Sequence, residues 1–377
     1  MKKISFFAVA TLAVVLMGCS SKNTNNPTFD TTKLWPAMQG EKYGFIDPQG
    51  KFAIPAMYDG VSNFSCGYAR VRIGNDIKFI DTNNKMLNTP AMDYAEPFYN
   101  KYAKFRVNGK YGLLDNSGNT VIQPYFEELG YMGDNGLVAG AANKEDLIAF
   151  YDKDAKVVLP AMYNYADMFQ DGAAVVELNQ QMGAIDKSGK WLIPASYGGL
   201  INFGHGLLAF FQNSRFGLLD LNGNTIAQPI YTDFIVPVDN ELIAVTTSNF
   251  EEGNIKWGYI DFKGNQVLAA MYYEASPFFE GYACVRMSEE SPYTIIDTKG
   301  NVVLTLAKNE YPETGLHNGL FLTETESSDE ESFKEVYQYK DIKGTVVYTW
   351  SEKYDYYAPE RRAMKDHGKA FIEKTLR

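Results

Sequence analysis

Three histidines, His205, His317 and His367, are the only imidazoles in the chain. A catalytic base or a zinc site needs such a ring within reach of a nucleophile or of further ligands. None of the three has metal-ligand spacing to another His or to a Cys, and His205 stands in the turn-like run Phe203-Gly204-His205-Gly206. The aspartates are more regular: Asp47, Asp81, Asp115, Asp152, Asp186, Asp220, Asp261 and Asp297, with a weaker member at Asp341. Asp220-Leu221-Asn222-Gly223-Asn224 invites a calcium reading, but a helix-loop-helix calcium loop has its Gly at the sixth position and a Glu at the twelfth. Here the Gly comes fourth, so the Asp is assigned to a turn rather than to an ion. A glycosidase needs two carboxylates across a cleft; among 46 acidic residues no pair is singled out by spacing. No P-loop, dinucleotide fingerprint or G-x-S-x-G motif is present. The expectation is no catalytic, metal-binding or cofactor-binding residue, and no cofactor. A formal net charge of −11 weighs against binding a nucleic-acid backbone.

The aspartates mark a repeated element. Phe216 to Tyr231 reads FGLLDLNGNTIAQPIY, Tyr111 to Phe126 reads YGLLDNSGNTVIQPYF, Tyr43 to Tyr58 reads YGFIDPQGKFAIPAMY, and Trp257 to Tyr272 reads WGYIDFKGNQVLAAMY. A period in the thirties implies stacked or ring-like supersecondary units. The local pattern decides for strands: Tyr111, Leu113 and Asp115 alternate with Gly112 and Leu114, a period of two over a short run. The run ends in D-x-x-G, where Asp accepts a bond from a backbone N–H two residues on and Gly takes the positive φ of a tight hairpin. A second β-rich run follows and often ends near a proline (Pro55, Pro124, Pro160, Pro194, Pro229), which cannot donate to a ladder. Aromatics recur in register after the Asp: first Tyr58, Phe126, Tyr163, Tyr197, Tyr231 and Tyr272, then Phe64, Phe98, Phe169, Phe203 and Phe278. A turn residue follows, Gly67, Gly172, Gly206 and Gly281, or Asn135 and Asn240, and then another strand. Each unit thus holds at least three short strands with room for a fourth, and neighbours must complete its core.

The aromatic-Gly pair, the Asp, the Gly turn, the Pro and the aromatic together resemble the WG-repeat family, also called KWG repeats. The literal motif stands at Lys256-Trp257-Gly258, with Lys-Tyr-Gly at 42–44 and 110–112. Repeat 2 (Ile77-Lys78-Phe79) and repeat 8 (Tyr293-Thr294) lack the Gly, and repeat 4 has Ala149-Phe150-Tyr151. The resemblance implies an all-β repeat module of bacterial envelope or effector-like proteins, with no catalytic residues to carry over. The array is read as an open β-superhelix of short antiparallel strands, with a closed propeller-like ring as the alternative.

The flanks supply a location. Lys2 and Lys3 precede an apolar run from Ile4 to Met17 that is too short for a permanent membrane span, and Leu16-Met17-Gly18-Cys19 follows. This looks like a bacterial lipobox: residues 1–18 as lipoprotein signal peptide, and Cys19 as the lipidated first residue of the mature chain. No Asp follows Cys19, which in lipoproteins of this type favours the outer membrane. Residues 19–40, Asn/Thr-rich at first, read as a flexible tether, 41–307 as the repeats and 308–350 as a divergent capping repeat with an acidic loop. Within that loop Glu310, Glu313, Glu324, Glu326 and Asp329-Glu330-Glu331 are expected to be solvated. Residues 351–377 form a basic tail, with Met364, Phe371 and Ile372 spaced for one face of a short helix. The stretch Thr246 to Ile255 reads as a hairpin-tip insertion, of the kind that decorates a binding face. Cys66 and Cys284 are read as two buried thiols in an open array; in a closed ring they could pair.

The function expected is a non-catalytic binding or scaffolding module on the cell envelope, held to the membrane by its lipid and recognising a protein partner. A glycan-binding surface lipoprotein is the alternative, on the strength of 26 Tyr and 24 Phe. A hydrolase with an unrecognised carboxylate pair stands behind both.

Overall fold

The structure, a computed structural model, describes residues 32–238, 242–248, 255–328 and 332–355. Every helix or strand among these residues is a β-strand, and the strands form nine small antiparallel sheets of three or four strands each. Each sheet is a blade of the β-propeller kind, wound strand by strand in sequence order. The described residues fall into two compact units. One runs over Tyr58–Pro229; the other joins Lys33–Met57 to the chain from Ile230 onward.

The third sheet, in the Tyr58–Pro229 unit, shows how the sequence builds a blade. Its strands are Tyr94–Ala95, Tyr102–Val107, Lys110–Asp115 and Thr120–Phe126. The hairpin between the last two closes on Asp115, whose Oδ1 accepts the N–H of Ser117 (2.9 Å) and of Asn119 (2.8 Å). Gly118 then takes φ +85°. The same double acceptance recurs at every Asp of the series, Asp341 included. Where the Gly is missing, Asn84 and Ala155 adopt the left-handed conformation instead.

The glycine of the aromatic-Gly pair has a different cause. Leu113 pairs with Ile122 and Tyr111 with Phe126, so residues 123–125 bulge opposite Gly112. A Cβ on Gly112 would lie 2.4 Å from the Ile122 carbonyl oxygen and 2.9 Å from the Pro124 nitrogen. Gly44, Gly183 and Gly258 face their outer strands in the same way. In repeat 4, Ala149 fills this place opposite an equally bulged strand. Repeats 2 and 8, which have no such Gly, have reduced outer strands. In repeat 2 it is the single bridge Ile80–Met86, and in repeat 8 the short strand Val302–Thr305. The prolines lie within outer edge strands, where a missing N–H costs the ladder nothing and blunts the edge.

A sequence unit and a sheet are out of phase. The run from Tyr111 to Phe126 supplies the outer half of the third sheet, and the chain then enters the fourth through Glu128–Leu129 and Val138–Ala141. The recurring Phe sits at that crossing and is buried: Phe98 meets Phe79 of the preceding sheet at 4.8 Å, Phe169 meets Phe150 at 4.9 Å, and Phe278 meets Tyr259 at 4.9 Å. Burying each such ring contributes roughly 1.5–3 kcal/mol. The core is therefore a series of small clusters, each shared by adjacent sheets. Asn135 lies in a turn as expected, the positive φ falling on the following Gly136 (+79°), and Asn240 lies outside the described residues.

Several expectations are corrected. The open superhelix gives way to the closed alternative, because the first and last sheets share a core within one unit. Trp35, Ala37 and Ile46 pack with Leu320, Leu322 and Tyr339. The Trp35 indole donates to the His317 carbonyl at 2.9 Å, and the Tyr348 hydroxyl to the Met38 carbonyl at 3.0 Å. An open array would hold these sheets at opposite ends. The expected tether over 19–40 overlaps a strand, Trp35–Gln39, which pairs with Lys42–Ile46 and buries Trp35. The capping repeat is a full four-stranded sheet whose last strand, Val346–Asp355, continues past the boundary drawn at 350. Its acidic segment is not all solvated loop: Glu310 and Glu324 are buried residues of strands Glu310–Pro312 and Leu320–Ser328. Asp329, Glu330 and Glu331 lie outside the described residues, as do most of the Thr246 to Ile255 insertion and the tail beyond Asp355.

Candidate functional site

The residues that could do chemistry are placed as follows. Cys19 and His367 lie outside the described residues. His205 occupies a turn at φ +56°, and the His317 ring lies 3.1 Å from the Asn318 amide. The two rings belong to separate turns. Cys284 is a free thiol, so it does not pair with Cys66. Burial, helped by the charge of Glu274, pushes the Cys284 thiol up to about 12, so the nucleophilic thiolate is suppressed. The aspartate series is occupied as turn acceptor throughout, including Asp81 and Asp152, whose turns lack the Gly.

Polar side chains that sequence periodicity did not mark form buried seams. In the Tyr58–Pro229 unit the Arg70 guanidinium is buried and donates to the Ala95 carbonyl. Desolvation lowers its pKa, opposed by Tyr94 and Glu96. Lys104 pairs with Glu96 at 3.0 Å and lies 4.8 Å from the centre of the Tyr131 ring. Burial, then Glu96, raises the Tyr131 phenol far above its ordinary range. Further along, burial pushes the Asp167 carboxyl up to about 6, although it accepts the Met168 N–H at 2.8 Å. In the other unit Arg286 lies over the rings of Tyr273 and Tyr293, at 5.4 and 4.8 Å from their centres. Both Arg286 and the Tyr293 hydroxyl donate to Glu274. In both seams a cation, a carboxylate and phenols are bound to one another, which fixes side chains in place.

The last sheet carries the most distinctive surface. Three long strands, Leu320–Ser328, Ser332–Asp341 and Val346–Asp355, set Glu326 opposite Glu335 and Glu335 opposite Glu352. The carboxylates of Glu324, Glu326 and Glu335 lie within 4.8 Å of one another, the first and last buried and the middle one exposed. Tyr337 donates to Glu335 at 2.8 Å and stacks on Trp350 at 5.2 Å. Burial, then Glu324 and Glu335, holds the Tyr337 phenol protonated. These carboxylates suit a hard cation, although calcium takes about six to eight oxygens and three side chains supply only part of that shell. Sequence reasoning missed the cluster because Glu335 meets Glu324 and Glu326 only through strand register. The available signal was the D-x-x-G at Asp341 flanked by long β-rich runs.

Fold and site together define an all-β repeat protein of small antiparallel blades. The chain belongs to the family of the WG containing repeat, whose model matches residues 43–75, 79–111, 111–140, 149–181, 182–215, 216–249 and 257–289. No curated protein matches it. Among solved structures it is similar to a eukaryotic initiation factor, with 13% identity and a TM-score of 0.60 over 85% of this chain and 95% of that one. Lower likenesses are to the dihydro-heme d1 dehydrogenase NirN (12% identity, TM-score 0.43, 86% of this chain and 76% of that one) and to Hsv2 of Kluyvelomyces marxianus (9%, 0.39, 68% and 95%). At such identity the first likeness speaks for the fold alone.

Proposed function

We propose that the chain is a non-catalytic binding or scaffolding module, held on the cell envelope by a lipid on Cys19 and recognising a protein partner. One observation carries this reading. The residues that recur serve the fold, Asp as turn acceptor, Gly as close-approach point and Phe as inter-sheet core, while the surface varies from blade to blade. A repeated frame with variable faces suits recognition, since each blade can present different side chains on one rigid backbone. The envelope location rests on the leader-like run before Cys19 and on the membership in the WG-repeat family.

The test is cross-linking of the lipidated protein in cells, followed by mass spectrometry of what is captured. A reproducible protein partner whose cross-links map to particular blades is the expected result. An empty capture together with saturable binding on a glycan array would replace the protein reading by the glycan one. The anchor is checked separately: Cys19→Ala is expected to release the chain from the membrane fraction, and an unchanged distribution refutes lipidation.

A further inference from the structure

The outermost strand of the last sheet differs from its counterparts. Phe52–Tyr58, Thr120–Phe126, Val157–Tyr163, Trp191–Tyr197 and Thr225–Tyr231 each carry a proline. Gln266–Tyr272 lacks the proline but breaks register twice, as do three of the proline-bearing strands. Val302–Thr305 has no proline and is short. Prolines, bulges and shortness all withdraw an edge from pairing with another chain. Val346–Asp355 has no proline and is long, and its one break in register falls at its start, where Tyr339 pairs with Tyr348 and Lys340 with Val346. It is 10 residues long, and from Tyr348 to Asp355 it pairs in unbroken register with Tyr339 to Ser332. Among the described residues it is the last strand of its sheet.

The charge on this sheet states what a further strand would carry. Glu326, Glu335 and Glu352 stand directly opposite one another across three strands, and Glu335 is fully buried. Like charges directly opposite are unfavourable. A strand added to the edge places a side chain opposite Glu352 on the same face, and a Lys or Arg there continues the ladder with the opposite sign. An apolar or long side chain opposite Trp350 extends the stack that Trp350 makes with Tyr337. A second copy of this chain does not supply the cation. Two-fold antiparallel pairing sets residues of one face opposite residues of the same face, and positions 348, 350, 352 and 354 are Tyr, Trp, Glu and Tyr.

We propose that the edge of Val346–Asp355 is a strand-addition site for an extended, basic segment of a partner protein, with Lys or Arg opposite Glu352. This deepens the binding reading above and rests on it. Main-chain hydrogen bonds supply affinity and the ladder supplies register and sign.

The experiment uses the full chain and a fluorescent peptide alternating Val and Lys over about eight residues, close to a long natural strand, with binding followed by anisotropy. Two control peptides alternate Val with Glu, or keep Val and Lys with every second backbone nitrogen methylated. Saturable binding of the Val/Lys peptide is expected, weakened at least about tenfold by methylation and by Glu352→Lys, a change of about 1.4 kcal/mol or more. No binding, or equal binding of the methylated peptide, overturns the proposal, since charge alone would then account for it. Two further results also overturn it: binding seen only after deletion of residues 356–377, or dimerisation of the wild-type chain that Glu352→Lys abolishes. Near-ultraviolet circular dichroism checks that the variant folds, and the methylated peptide decides the matter on the wild-type chain in any case. Cellular cross-links that map to another blade would leave the binding reading standing while this site fails.

Discussion

Substituting Gly112 by Ala isolates the physical meaning of the glycine that gives the repeat its name. The added Cβ would stand 2.4 Å from the Ile122 carbonyl oxygen and 2.9 Å from the Pro124 nitrogen, where ordinary contact begins at 3.4 Å. Both neighbours are backbone, so the outer strand must move by about 1 Å or lose its bulged pairing. Overpacking of this kind costs roughly 1–3 kcal/mol. The unfolded chain loses freedom when Gly becomes Ala, which returns roughly 0.4–1 kcal/mol. The net is a destabilisation of about 1–2 kcal/mol, or roughly 5–30-fold in the opening equilibrium. Ala149, opposite its own bulged strand in repeat 4, shows that a blade adjusted around a methyl can hold it, which sets the cost at the lower end. Gly112→Val, with two further methyls, should exceed the upper end. Native-state hydrogen exchange read by mass spectrometry is the suitable assay, because a chain built of many small clusters opens locally. Peptides spanning 111–126 should exchange faster, while those spanning 181–197 stay unchanged. Equal exchange in wild type and Gly112→Ala would refute the close-approach argument, and so would a valine no worse than the alanine.

Three further outcomes are expected. Asp115→Ala removes the acceptor of two backbone N–H bonds at 2.9 and 2.8 Å, and should cost about 1–2 kcal/mol, read as faster exchange confined to residues 115–119; Asp115→Asn, which keeps an acceptor, should cost less. Burial raises the Asp167 carboxyl from 3.8 to about 6 in the folded chain, so the folded state holds this proton more tightly than the unfolded state does. Its contribution to stability is therefore full below about pH 4, falls as pH rises towards 6, and stays lost above that. Asp167→Asn should raise the melting temperature at pH 7 relative to wild type and remove the difference near pH 4, and melting curves that differ equally at both pH values would refute the assignment. Cys284 should resist alkylation by iodoacetamide at pH 8 in the folded chain and react within minutes once unfolded, as peptide masses would report; fast reaction of the native protein would contradict the raised pKa of this half-buried thiol beside Glu274.

What the sequence determined by itself was whatever depends on neighbours along the chain. The Asp turn specifies itself because the Asp oxygen and the accepted N–H groups are two and four residues apart, and all nine aspartates from Asp47 to Asp341 fold that way, Asp81 and Asp152 with Asn84 and Ala155 in place of the Gly. Period-two alternation gave the strands. The recurrence of Phe98, Phe169, Phe203 and Phe278 in register gave the core, since a buried ring has to reappear wherever the same packing reappears. The all-β repeat architecture followed from these local facts.

Tertiary structure alone decided three things. Each sequence unit crosses from one sheet to the next, because pairing joins the end of one unit to the start of another, and periodicity carries no phase. The first and last sheets share a core because Trp35 and its neighbours find Leu320, Leu322 and Tyr339, a meeting that no single repeat encodes. Trp35 for this reason read as part of a tether. The carboxylate ladder of Glu326, Glu335 and Glu352 exists because two hairpins fix the register of three strands. Side chains distant in sequence then share one face, although in the sequence Glu326 had read as one charge of a solvated loop and Glu352 as part of a basic tail.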